Sequence, residues 1–313
     1  MEGSGPFDFE GAHRRAQAPP PPPRRRGATR APRSSEPGAP AAGRGTRSAR
    51  AETLARIAWV LPWIAAVIAI IIVGGPLFAA AMIVFACIAL TELFRMARDS
   101  APFIPVAFAV AFGLGVAALF GDHFQIVIVL AATFPLVFIA AVLRPERGGV
   151  TISAAVTVFA VVWIALPFAH AILLRELPEH GAALLFDVLV ATFVADTAAY
   201  AGGRMFGRRR LAPSLSPNKT IEGLLFGFAG GTLGFWFAGL YQDWLSGADA
   251  LLLGMSVALL APVGDLFESM VKRDLEVKDT GRVFGPHGGM LDRVDAVLFT
   301  VPAAYYLAVA LVF

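Results

Sequence analysis

The 313-residue sequence contains one cysteine, Cys87, and five histidines that are scattered along the chain. One thiol cannot form a disulfide within the chain, and zinc sites need several cysteine or histidine ligands at close spacing. The sequence also has no GxxxxGK[ST] and no GxGxxG after a strand. Redox chemistry therefore has no support, a histidine metal site is disfavoured, and the P-loop and Rossmann types of nucleotide site are excluded.

Charged residues are scarce as well. They make up 16% of the chain, whereas hydrophobic residues make up 57%. A soluble domain carries roughly 25% charged residues, because its surface must be hydrated. The apolar excess therefore indicates surface that faces lipid rather than one large core.

The positive charge is concentrated at the amino terminus. Residues 1–50 contain ten arginines and four acids, a net +6, which leaves −3 for the rest of the chain. This proline-rich segment has too little apolar surface to offset its chain entropy, and it lacks the apolar region of a signal peptide. We expect residues 1–53 to be a disordered cytosolic tail that contacts anionic lipid. A nucleic-acid partner is the less favoured alternative.

Apolar stretches of about 20 residues, the length that spans a bilayer, follow one another after residue 54. The sequence predicts an all-α, polytopic membrane protein with about nine spans: 57–73, 76–94, 103–121, 124–143, 151–173, 181–202, 221–243, 250–270 and 295–313. It divides into amino-terminal helices (54–180) and a carboxy-terminal region (181–313), which includes cytosolic loops 203–220 and 271–294 and carries the candidate catalytic residues discussed below.

Lysine and arginine favour every second loop, which sets the predicted orientation. The loops after the second, fourth, sixth and eighth spans are basic, and the intervening loops are poor in these residues. By the positive-inside rule the amino terminus is cytosolic and the carboxy terminus lies outside. We expect a multi-pass protein of the cell (inner or plasma) membrane whose active site faces the cytosol.

Carboxylates inside spans are unusual, because each costs about 2.5–3.5 kcal/mol on insertion scales. Those that invite a functional explanation all lie toward the cytosolic ends of their spans: Glu92, Asp196, Glu222, Asp265, Glu268, Asp292 and Asp295. For Glu92, pairing with a neighbour such as Arg95 or contact with water is the favoured reading. For Asp265 and Asp292 a functional role is favoured.

The spacing of these acids groups them with cations. Asp265, Glu268, Ser269 and Lys272 share one helix face, since they are separated by three or four residues. Asp292 and Asp295 begin the last span in the same way. Carboxylate oxygens on facing helices suit Mg²⁺. Acids for a metal beside cations for phosphate are typical of nucleotidyl or phosphoryl transfer. The nearby cations are Lys272, Arg273, Lys278, Arg282 and Arg293.

Two loop segments are candidate anion sites. His287-Gly288-Gly289 lets backbone N–H groups approach a phosphate, although two glycines in a loop are usually only a turn, and His287 could bond a phosphate or cap the loop. The run from Ser216 to Glu222 brings Lys219 and Thr220 to the start of a helix, where an anion is stabilised. An ordinary helix cap is the alternative there.

These residues resemble the signature of the phosphatidate cytidylyltransferase family. The longest match is SMVKR at 269–273, KD at 278–279 and HGGMLDRVD at 287–295. SPNKTIEG at 216–223, Gly264-Asp265, and Asp196 with Tyr200 one turn later are similar to further segments of that family. The resemblance covers about 190–313 and rests on topology before that.

The resemblance implies transfer of a cytidylyl group from CTP to phosphatidic acid, with Mg²⁺ (one or two ions) and a homodimer. It implies that Asp265 and Asp292 are metal ligands, with Asp295 and Ser269 beside them. Lys219, Lys272, Arg273 and Arg293 are expected to hold phosphates. The expected catalytic set is Asp265, Asp292, Asp295, Lys272 and Arg293. The other expected substrate-binding residues are Ser216, Thr220, Lys278, Asp279, His287, Gly288, Gly289, Asp196 and Tyr200.

Two other functions compete with this one. A cation transporter or channel would also use intramembrane acids, but it should place them at several depths. A transferase of the same fold acting on another lipid phosphate or a polyprenol is not separable by sequence.

Overall fold

The computed structural model describes residues 65–145, 148–281 and 288–313, and these are mostly α-helical. The first helix, α1, is described over 65–73. The amino-terminal elements that follow are α2 (Gly75–Met96), a 3₁₀ turn (Arg98–Ser100), α3 (Ile104–Phe120), α4 (His123–Leu143), α5 (Val150–Ala160), a π-helical segment (Val161–Ala165) and α6 (Leu166–Arg175). The carboxy-terminal elements are α7 (Gly181–Phe206), β1 (Arg210–Ala212), β2 (Ser216–Thr220), α8 (Ile221–Gly239), α9 (Gly247–Asp274), α10 (Leu291–Val294) and α11 (Val297–Leu311).

The described helices confirm the all-α expectation. Six helices in the described part are long and apolar enough to cross a membrane, if the run Val150–Arg175 is taken as one, and α3 and α11 are shorter apolar helices. Large side chains such as Phe134, Phe138 and Phe193 are exposed on them, as expected for surface that faces lipid. The count of nine spans, the sides of the two termini and the division at residue 180 stay predictions. The predicted tail, and residues 57–64 of the first predicted span, lie outside the described residues.

The first two helices are separated by a break at Gly74 and Gly75. Both glycines have positive φ, at 65° and 55°, which an L-residue adopts only with strain. Residues at the carboxy-terminal end of α6 form hydrogen bonds with the backbone at this break. Arg175 donates to the carbonyl oxygens of Ile71 and Ile72, and Glu176 Oε1 accepts from Gly75 N at 2.8 Å. The end of α1 is thus fixed to the end of α6.

One long helix contains a local irregularity. The π-helical turns at Val161–Ala165 come directly before α6, whose second residue is Pro167. Proline has no N–H to donate to the carbonyl four residues before it. This interruption of the α-helical hydrogen bonds coincides with the wider π-helical turns. Trp163 and Ile164 from this segment are buried, so the irregularity lies in the core.

Glycines bring α7 and α8 unusually close. A Cβ at Gly227 would lie 2.9 Å from the Ala199 Cβ, and a Cβ at Gly231 would lie 2.8 Å from the Ala195 Cβ. Membrane helices pack in this way through small residues, since lipid offers no hydrophobic drive for association. Helix α8 also packs against α9, and α9 against α11.

The predicted cytosolic loop 203–220 contains a two-stranded antiparallel hairpin, which the all-helical expectation left out. Arg210 pairs with Thr220, and Ala212 pairs with Ser216. Strand β2 reads SPNKT, which is polar and lacks the apolar alternation that reveals a strand in sequence.

Candidate functional site

Three carboxylates meet where α9 passes the start of the last helix. One ligand oxygen from each of Asp265, Glu268 and Asp295 lies within 4.8 Å of the other two. Gly264 makes this approach possible, because a Cβ there would lie 3.0 Å from the Ala296 Cα. Like charges at this spacing repel one another, so the group is stabilised by nearby cations.

Glu268 is the cluster carboxylate with a buried oxygen that lacks a hydrogen-bond partner among the described residues. Its side chain is 2% exposed, and its Oε2 accepts from Lys272 Nζ at 2.7 Å. Its Oε1 is buried and has no hydrogen-bond partner among the described residues. A buried acceptor without a partner is costly, and a bound cation would satisfy it. The three carboxylates therefore form a possible metal-binding cluster, whose oxygen ligands suit a hard cation.

Lys272 connects this cluster to Asp292. Its Nζ lies 2.9 Å from Asp292 Oδ1. The other oxygen, Oδ2, accepts from Gly289 N at 2.8 Å and from Thr280 N and Oγ1 at 3.1 and 2.9 Å. Burial raises the pKa of Asp292, but the Gly289 hydrogen bond, Lys272 and Thr280 outweigh it and lower the pKa to about 2.

The carboxylate cluster groups Asp265 with Glu268 and Asp295, whereas Asp292, the other expected metal ligand, contacts Lys272. Both oxygens of Asp292 already accept hydrogen bonds from Lys272 and the loop before α10. A direct metal contact of Asp292 stays a prediction.

A cavity of about 660 Å³ adjoins the cluster between α7, α8, β2 and α9. Six of the predicted residues line it: Asp196, Tyr200, Ser216, Lys219, Thr220 and Asp265. Lys219 forms an ion pair with Asp265, so the loop cation meets the cluster directly. Thr220 caps α8 by accepting from Gly223 N at 3.0 Å. Tyr200 accepts at 3.0 Å from Arg204, a further cation of the lining.

The hairpin is tied to the start of α8. Glu222 accepts from the backbone N–H groups of Arg208 and Arg209, with Oε2 at 3.0 and 3.2 Å. Arg210 donates to the Pro217 carbonyl at 2.6 Å. Glu222 is thus explained by these contacts, and it helps to hold Lys219 over the cavity.

The other predicted site residues are less enclosed. Ser269 is half-buried on α9, whereas Arg273, Lys278, Asp279 and Arg293 are exposed. Gly288 has a φ of +88°, and a Cβ there would lie 2.8 Å from Asp292 Oδ2, so both its conformation and its position favour glycine. His287 lies outside the described residues.

Sequence reasoning missed two polar groups, Thr280 and Asp187, and misinterpreted a third, Glu92. Glu92 is 1% exposed and accepts from the backbone of Met290 and Leu291 at 2.9 Å, so the expectation of pairing with Arg95 or contact with water is wrong. Thr280 contacts both Glu92 and Asp292. Asp187, also buried, accepts from Gln242 Nε2 at 2.6 Å at the opposite end of α7. Apolar surroundings marked Glu92 and Asp187 in the sequence, but their partners are distant in the chain.

Comparison with known proteins gives one family. Residues 54–311 match the cytidylyltransferase family model. The phosphatidate cytidylyltransferase of Bacillus subtilis (strain 168) is 35% identical over 167 residues, 52% of this chain and 58% of the relative. That of Synechocystis sp. (strain ATCC 27184 / PCC 6803 / Kazusa) is 44% identical over 127 residues, 38% of this chain and 41% of the relative.

The uncharacterized protein YnbB of Escherichia coli (strain K12) is 38% identical over 150 residues, 46% of this chain and 50% of the relative. The chain thus spans about half the length of the curated relatives it matches. The family match is more extensive, since it runs from residue 54 to the last residue of α11. The chain belongs to the cytidylyltransferase family.

Proposed function

We propose that this chain transfers a cytidylyl group from CTP to phosphatidic acid and releases pyrophosphate. The observation that carries the proposal is the carboxylate cluster of Asp265, Glu268 and Asp295, which has Lys219 on one side and Lys272 on the other. Family membership supports nucleotide transfer, and relatives named phosphatidate cytidylyltransferase support phosphatidate as the acceptor.

The proposed reaction follows from charge. A phosphate oxygen of phosphatidic acid attacks the α-phosphorus of CTP, the bond from that phosphorus to the bridging oxygen breaks, and pyrophosphate leaves with its electron pair. Phosphatidic acid is already an anion, so the step needs no base to remove a proton. The main barrier is repulsion between two polyanions, which fixed cations reduce while they hold the groups in line.

Individual residues have distinct roles in this proposal. Lys219 and the amino end of α8, capped by Thr220, hold phosphates of CTP in the cavity. Lys272 neutralises negative charge between Glu268 and Asp292. The exposed cations Arg273, Lys278 and Arg293 supply further positive charge near the entrance.

Mg²⁺ is the proposed cofactor, and the donor set fits it. Asp265, Glu268 and Asp295 would hold the ion, because all three offer carboxylate oxygens and Glu268 Oε1 lacks another partner among the described residues. When bound, Mg²⁺ neutralises phosphate charge and polarises the phosphorus–oxygen bonds. Asp292 is also proposed as a metal ligand, and a second ion is part of the proposal.

The membrane setting suits one soluble and one lipid substrate. Apolar helices surround the cluster, and the predicted orientation puts its end of α9 at the cytosolic surface. CTP would then arrive from the cytosol, and phosphatidic acid would arrive sideways from the inner leaflet of the cell membrane. A homodimer is also proposed, on the family resemblance alone; the mass of the purified protein in detergent tests it.

The deciding experiment supplies purified protein with CTP labelled at the α-phosphate, Mg²⁺ and phosphatidic acid. Label should enter the lipid fraction, and Asp265→Asn should abolish this. Asp243→Asn, which changes an exposed acid in the turn between α8 and α9, should not. Label that enters a polyprenol phosphate, and not phosphatidic acid, would show that the acceptor is wrong. No transfer to any lipid phosphate by the folded protein would reject the reaction.

A further inference from the structure

Glu92 is a buried carboxylate from the amino-terminal half that contacts the signature segment in the carboxy-terminal half. Its two oxygens accept from the backbone N–H groups of Met290 and Leu291, each at 2.9 Å. Nearly 200 residues separate α2 from these partners along the chain. The side chain is 1% exposed, so water does not share these hydrogen bonds.

Two glycines, Gly281 and Gly289, allow the backbone to approach the Glu92 carboxylate closely. A Cβ at Gly289 would lie 2.5 Å from Glu92 Oε2, and one at Gly281 would lie 2.8 Å from its Cδ. Any larger side chain at either position would displace the carboxylate. Gly281 and Gly289, which lie on either side of residues 282–287, therefore both pack against the Glu92 carboxylate.

Thr280 connects Glu92 to the reaction site. Its hydroxyl lies 3.3 Å from Glu92 Oε2 and 2.9 Å from Asp292 Oδ2. One hydroxyl proton serves one acceptor at a time, and the shorter distance favours Asp292. Glu92 is then held mainly by the two backbone donors, and Asp292 by Thr280, Gly289 and Lys272.

We propose that Glu92 is a positioning residue for the transfer reaction: it fixes the backbone at Met290 and Leu291 so that Asp292 and Lys272 face the carboxylate cluster. The inference rests on the proposed function, and the hydrogen-exchange measurement below tests the contact of Glu92 with this segment separately. A carboxylate is required because both of its oxygens face N–H donors. Glutamine would turn one NH₂ group toward a donor, and alanine would leave two buried donors without acceptors.

Rates test the proposal. Glu92→Gln should lower kcat by about 10- to 100-fold, as is typical when a residue that orients the reacting groups is lost. The KM for CTP should change less than about twofold, because a residue that only orients the reacting groups contributes to the rate rather than to binding. Thr280→Val should lower kcat in the same way, and Thr280→Ser, which keeps the hydroxyl, should recover most of the rate.

Thr157→Val is the matched control. Thr157 is fully buried and accepts from Phe103 N at 2.8 Å, so its loss also removes a buried acceptor, but at the start of α3. If Glu92 served stability alone, Glu92→Gln and Thr157→Val would lower thermal stability similarly and leave kcat per folded molecule equal. That result would overturn the proposal.

Hydrogen exchange gives a second measurement that does not depend on activity. Glu92→Gln should speed amide exchange in a peptide covering 288–295 by at least about tenfold, while a peptide from α8 stays unchanged and Thr157→Val leaves both unchanged. Unchanged exchange at 288–295 would overturn the positioning role even if the wild type shows no cytidylyl transfer. Failure of transfer alone would instead reject the proposed reaction.

Discussion

Lys272 is the side chain whose removal should reveal most about the site. Its Nζ lies 2.7 Å from Glu268 and 2.9 Å from Asp292, and the three side chains are 17%, 2% and 12% exposed. Lys272→Met keeps the length of the side chain but leaves two carboxylates without their shared cation. Removing one partner of a buried ion pair costs about 3–5 kcal/mol. We expect a value near the lower end, because Asp292 keeps three hydrogen bonds from Gly289 and Thr280.

A double-mutant cycle separates charge repulsion from lost packing. Glu268→Gln removes one of the two uncompensated charges, so the variant that combines it with Lys272→Met should recover about 0.5–3 kcal/mol relative to additivity. The free energy of unfolding in mixed detergent micelles measures this. Transfer activity should stay low in the double variant, because the cation is still missing.

Lys219→Met is the matched control for stability. Lys219 pairs with Asp265, but these side chains are 26% and 34% exposed. Exposed pairs contribute about 0–1 kcal/mol, so Lys219→Met should lower activity with little loss of stability. If both lysine variants cost the same unfolding free energy, the inferred difference in burial is wrong. An additive cycle would instead refute the coupling between Lys272 and Glu268.

Three further outcomes are expected. Glu268→Gln should raise the Mg²⁺ concentration for half-maximal transfer, measured by titration after chelation; an unchanged requirement would remove Glu268 from the metal cluster. Gly288→Ala should lower the transfer rate and cost about 1–2 kcal/mol of stability through its left-handed backbone, whereas Gly148→Ala, where a Cβ meets nothing within 4 Å, should have little effect on either. Deletion of residues 1–50 should leave the rate in detergent nearly unchanged, and a large loss would show that the tail contributes to catalysis.

The helix positions were predictable because long apolar runs are local properties of the sequence. The predicted stretch 124–143 and α4 (His123–Leu143) differ by one residue. The hairpin was not predictable, because Ser216–Thr220 is short and polar, and its pairing with Arg210 depends on how α7 ends. A helix or strand can be predicted from sequence only when its own residues show the hydrophobic periodicity of that structure.

The site was partly predictable for the same reason. Asp265 and Glu268 share a helix face by spacing, and the chain direction brought Asp295 to the same end. The sequence could not rank Asp292 against Glu268 as a ligand, because that choice depends on which oxygens Lys272 and the loop amides already occupy. Glu92 was misjudged because its partners, the amides of Met290 and Leu291, are backbone groups that no residue type reveals.

The glycines between α7 and α8 have a consequence for how the cavity can change size. At Gly227 and Gly231 the backbone of α8 lies directly against α7. There are few flexible side chains between the two helices that could rearrange. Helices α7 and α8, which form two sides of the cavity, should therefore move together as a rigid unit. A substrate that needs more room must therefore displace the hairpin or α9, and motion of either changes the distance between Lys219 and Asp265. The motion that admits the substrate would then also be the motion that sets the positions of the charged groups.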